Sequence, residues 1–106
     1  MTKKQYALDN NMVADGFGGY NIDNLIIKEF GYLLAYITDR KFSDISDFGT
    51  IYNNQTVIMQ AINNELKQSK LIEESMLNIS HELAVRNLVK LKTIIEKICG
   101  YMSIPN

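Results

Sequence analysis

From Asp23 onward, apolar side chains recur every three or four positions, the period of a helix face and not of a strand. Asp23 is a good N-cap, and Ile22 and Ile27 flank it with the spacing of a hydrophobic staple. The pattern predicts a helix to about Arg40, where Arg40 and Lys41 complement the negative end of the dipole. Leu25, Ile26, Ile27, Phe30, Tyr32, Leu33, Leu34, Tyr36 and Ile37 leave this helix apolar on most sides. Such a helix is expected at the centre of a fold, or shared with a second chain.

Ser43 reads as the next cap, with Asp44 and Asp47 in the first turn. Ile45, Phe48, Tyr52, Gln55, Met59, Ile62 and Leu66 then step by threes and fours, a seam of heptad type. Gly49 and the pair Asn53-Asn54 weaken this helix and predict a break near position 53. At Lys67-Gln68-Ser69 the phase is lost, and Ser69 is read as the cap of a third helix. Leu71, Ile72, Met76, Ile79 and Leu83 form its first stripe; Ala84, Leu88, Leu91, Ile95, Ile98 and Met102 form a second, with the change of phase near 78–80. Gly100 is read as its C-terminal cap, with Pro105 beyond.

The first twenty residues differ from the rest. Leu8, Met12 and Val13 predict one short helix over 5–15, ended by Gly16, and Gly16-Phe17-Gly18-Gly19-Tyr20 follows as a flexible segment. The division is therefore an arm over 1–20, a helical bundle over 21–102 and a tail over 103–106. No segment alternates as a strand does, and there is no internal repeat. The expected fold is all-α: a small antiparallel bundle of three long helices, or four to five pieces if the breaks are real, carrying a flexible N-terminal arm.

Composition narrows the function classes. The chain has 106 residues, 46% of them hydrophobic, which suits one domain with its own core. A formal net charge of −1 gives no global case for nucleic acid or an anionic membrane. Cys99 is the only cysteine, so neither an internal disulfide nor a Cys-based zinc site can form within the chain. The N-terminal lysines precede no apolar run, and the densest apolar stretch, 25–37, is interrupted by Lys28 and Glu29. A reducing cytoplasm is the expected compartment. The abundance of Asn, Ile, Lys and Tyr suggests an AT-rich gene of bacterial or mobile-element origin.

Asn78-Ile79-Ser80-His81-Glu82-Leu83 resembles the phospho-accepting box of sensor histidine kinases. The resemblance implies His81 as phosphoacceptor and Glu82 as its acid–base partner. The chain departs from that pattern at Ala84-Val85-Arg86-Asn87, where the family continues Arg-Thr-Pro-Leu. Some 25 residues after His81 also leave little room for the family's second bundle helix, and none for an ATP-binding domain. An exposed or capping histidine is the preferred reading. A metal at His81 would have only Glu73, Glu74 and Glu82 nearby, an incomplete set for zinc. Cys99 and His81 lie 18 positions apart on one expected helix, roughly 27 Å at 1.5 Å per residue, so they cannot form a catalytic pair within the chain. Gly16-Phe17-Gly18-Gly19 lacks the preceding strand of a nucleotide loop. No catalytic residue, cofactor or metal is expected, and the chain is read as no enzyme.

Two surfaces remain. Arg86, Lys90 and Lys97 fall within about 40° on a helical wheel, joined by Thr93, and could face nucleic acid or an acidic partner. The same residues lie opposite Leu88, Leu91, Ile95 and Ile98, where any amphipathic helix keeps its solvated side. Nine of the ten aromatic residues lie in the first half of the chain, from Tyr6 to Tyr52. Phe17, Tyr20, Tyr32 and Tyr36 are the candidate protein interface, because tyrosine joins an apolar body to a hydroxyl. The expected function is a small non-enzymatic regulatory or inhibitory protein that acts on a protein partner, of the kind phages and plasmids encode against host machinery. A homodimer is expected. A dimeric nucleic-acid-binding regulator is the alternative, with a phosphorelay protein using His81 behind it.

Overall fold

The computed structural model of the chain describes residues 1–73 and 79–105, with the side chains of 1–69 and 82–105. Among them follow α1 (Lys3–Asp9), β1 (Val13–Ala14), β2 (Tyr20–Asn21), α2 (Asn24–Ile37), α3 (Phe48–Asn53), α4 (Gln55–Glu73) and α5 (Ile79–Met102). The architecture is all-α apart from one small hairpin. α5 is its organising element and packs against α1, α2, α3 and α4. Leu91, Ile95 and Ile98 of α5 are wholly buried among Leu34 of α2, Ile51 of α3, and Ile58 and Ile62 of α4. No helix among the described residues is long and apolar enough to cross a membrane.

The N-terminal segment departs from the expected pattern. The helix stops at Asp9 instead of reaching 15, because Asn10 and the left-handed Asn11 (φ 56°) turn the chain. Thr2 caps its start by accepting from the Gln5 N–H at 3.1 Å. Val13 then pairs with Asn21, and Ala14 with Tyr20, in an antiparallel hairpin. Strands of two residues are too short to show alternation in sequence. Asp15 closes the loop by accepting from the Phe17 and Gly19 N–H groups at 2.7 and 3.0 Å, while Gly16 and Gly18 take φ of 83° and 87°. Those positive angles suit glycine, which has no Cβ to clash. The segment is folded onto the body: Ala7 and Met12 belong to the core.

α2 begins as expected, with Asp23 accepting from the Leu25 N–H at 2.9 Å and Ile22 buried beside it. It ends at Ile37, three residues before the expected boundary. The Thr38 hydroxyl donates to the Leu34 carbonyl at 2.6 Å and accepts from the Phe42 N–H at 3.2 Å. Asp39 and Arg40 follow in the left-handed region, φ 54° and 65°, and reverse the chain. The next cap is Asp47, accepting from Thr50, and not Ser43.

The expected break near 53 is present at Asn54, which ends α3 with its side-chain amide on the Thr50 carbonyl at 2.8 Å. The bend shifts the seam: Ile51 and Ile58 are buried, whereas Tyr52, Gln55 and Met59 are only half-buried. No boundary occurs at Ser69. α4 continues to Glu73, and the exposed Lys67 and Gln68 are simply its solvated side. Gly100 does not cap α5, which runs on to Met102. A Cβ at Gly100 would overlap the Tyr6 hydroxyl, so this glycine admits α1 against α5. Tyr6 donates there to the Lys97 carbonyl at 2.9 Å.

Candidate protein interface

Helix α2 turns Phe30 and Leu34 inward, and its opposite side carries Leu25, Tyr32 and Tyr36. These three are 75%, 85% and 79% exposed. Spaced i, i+7, i+11, they fall within about 40° on a helical wheel and form one stripe. α2 was expected at the centre of the fold or shared with a second chain; α5 takes the centre instead, and the apolar surplus of α2 faces water. Scattered exposed apolar residues are ordinary on a protein surface, whereas an aligned row of three large ones is not.

Beside the stripe, α2 and the turn after it enclose an open groove of about 800 Å³. Ile27, Gly31, Ala35 and Tyr32 line it, together with the charged Lys28 and Arg40. Ser43 completes the lining, and its carbonyl lies 2.9 Å from where a Cβ of Gly31 would stand. Gly31 therefore lets the returning chain sit directly on α2. Neither Lys28 nor Arg40 has a carboxylate partner among the described residues, and no carboxylate lines the groove. Lys28, Arg40 and Leu25 were not among the expected site residues. Leu25 is legible from its helical register with Tyr32 and Tyr36, but Arg40 reaches the groove only through the left-handed turn.

The other candidate aromatics lie elsewhere. Phe17, at the hairpin tip, is 95% exposed, while Tyr20 is half-buried and packs against the core. Together they line a second groove with Lys3, Lys4, Tyr101 and Pro105. Phe17 and Tyr20 thus share no groove with Tyr32.

On α5, Arg86 and Lys90 are exposed and Lys97 is half-buried. α1 lies across the C-terminal part of this face, through Tyr6 on the Lys97 carbonyl and the Lys3 ammonium 5.1 Å above the Tyr101 ring. The basic stripe is therefore shortened to Arg86 and Lys90, with exposed Leu83 and Val89 beside them. Burial, followed by Glu96, pushes the Cys99 thiol above its ordinary range. Such a thiol is less ionised and a poorer nucleophile, in keeping with a packing role. The His81 side chain lies outside the described residues, as do those of Glu73 and Glu74, and with them the phosphoacceptor and metal readings. His81 and Cys99 do share α5, 18 residues and roughly 27 Å of helix apart.

No protein-family model, curated protein or solved structure matches the chain.

Proposed function

We propose that this chain is a non-enzymatic regulatory or inhibitory protein that works by laying the exposed side of α2 on a protein partner. The observation that supports this reading is the aligned row Leu25, Tyr32 and Tyr36, three-quarters or more exposed on a helix whose other side builds the core. Tyrosine rings supply large contact area with few rotatable bonds, so ordering them on binding costs little. Their hydroxyls satisfy polar groups at the rim of a contact. Energy at protein interfaces concentrates in such aromatic anchors and in arginine. α2 offers the aromatic anchors and the turn after it offers Arg40, with the helix capped by Asp23 at one end and Thr38 at the other.

The test is affinity capture with the tagged chain beside two variants of matched thermal stability. Tyr32→Ala with Tyr36→Ala should lose the proteins that the unaltered chain retains. Arg86→Glu with Lys90→Glu should keep them. Retention by the tyrosine variant, or loss confined to the basic-stripe variant, would refute the assignment to α2.

A further inference from the structure

We infer that the groove between α2 and the 38–43 turn receives an apolar protein segment bearing carboxylates, with Lys28 and Arg40 pairing with the acids. This deepens the protein-binding role proposed for α2 and rests on it. The groove is lined by Ile27, Gly31, Tyr32 and Ala35, and among the described residues its only charged lining is Lys28 and Arg40. An occupant must offer apolar surface to the first four and negative charge to the two cations. A single small molecule suits the site poorly, because well-formed ligand pockets enclose most of the ligand and this groove is open. An amphipathic segment laid into a groove is the matching recognition mode.

Arg40 strengthens the case. It stands in the left-handed region, φ 65°, where a side chain is disfavoured and glycine is at ease. In that conformation Arg40 lines the groove and has no ionic partner among the described residues. Guanidinium pairs with carboxylate in a bidentate fork, which gives register as well as attraction. A second copy of the chain is a weaker occupant. Two α2 helices related by a two-fold axis and lying antiparallel set like flank against like flank, so both Lys28 side chains would stand on the same side of the contact. Like charges held together oppose association.

The experiment is selection of a displayed library of random 16-residue peptides on the full chain. Selected peptides are then synthesised and titrated at low and at moderate salt. Enriched peptides should place Asp or Glu beside apolar residues and bind more weakly as salt rises. Affinity should drop ten-fold or more for Lys28→Glu with Arg40→Glu. Lys28→Met with Arg40→Gly should show the same direction of loss while relieving the left-handed backbone, which guards against a folding artefact. Circular dichroism melting should not fall for either charge variant, and should rise for the one that carries Arg40→Gly. Neutral peptides bound equally well by both charge variants but lost in Tyr32→Ala would overturn the acidic partner and leave the α2 reading intact. Absence of any Tyr32-dependent peptide would overturn both. A dimer in sedimentation that Tyr32→Ala dissociates would give the face to a second copy and also overturn the inference.

Discussion

Tyr6 and Gly100 show two residues whose roles are set only by each other. Alanine at position 100 should favour an α-helix over glycine by roughly 1 kcal/mol. The overlap of its Cβ with the Tyr6 hydroxyl opposes this, and overpacking of that kind costs about 1–3 kcal/mol. Gly100→Ala should therefore destabilise the chain in urea titrations, yet stabilise it in a Tyr6→Ala background. A same-signed effect in both backgrounds would show that the contact does not hold the two helices. The same pair of helices predicts a pH response. Burial raises the Tyr6 phenol, with a further contribution from Cys99, and burial also raises the Cys99 thiol. The folded chain thus holds these protons more tightly than the unfolded chain does. Stability from both groups is full below their unfolded values, about 8.5 for cysteine and 10 for tyrosine, and is lost as pH climbs through the raised folded values. The urea midpoint should hold near neutrality and fall above about pH 9, and Tyr6→Phe should flatten the fall above about pH 10. At neutral pH that variant should lose about 1 kcal/mol with its hydrogen bond.

At the scale of elements, what could be read in advance is what local chemistry decides. The Asp23 cap and the staple at Ile22 are complete within a few residues, and α2 begins where they predict. Its end was not legible, because neither glycine nor proline marks it. Thr38 and two non-glycine left-handed residues do so, through contacts with Leu34 and Phe42 that need the returning chain. Arg40→Gly should raise stability by roughly 0.5–1 kcal/mol by removing the Cβ conflict, visible as a higher melting temperature. An unchanged or lower value would mean the Arg40 side chain itself stabilises the turn. The Asn53-Asn54 break was equally local, but the change of seam behind it was not. A bend transfers burial from Tyr52 and Gln55 to Ile51 and Ile58, and spacing along one straight helix does not reveal that. Polar runs mislead in the opposite sense: Lys67-Gln68-Ser69 lies within a continuing helix.

For the whole molecule, burial separates residues that hold the fold from residues that serve another purpose. Leu34→Ala or Ile98→Ala, at fully buried positions, should cost about 2–5 kcal/mol. Tyr32→Ala and Tyr36→Ala, on the exposed stripe, should stay within about 0.5 kcal/mol of the parent in chemical denaturation. A large loss at either tyrosine would give it a structural duty that the fold does not show. The surplus of apolar surface on α2 was legible in the sequence, and so were Tyr32 and Tyr36. The groove beside them was not, since Ser43 and Arg40 join it only once the turn has formed. The contact between Tyr6 and the Lys97 carbonyl spans 91 positions. During synthesis at about 5–20 residues per second, α1 must wait roughly 5–18 s before its docking site exists. For that interval Tyr6 lacks the α5 surface it settles on, and the nascent chain is most open to chaperones and proteases until α5 arrives.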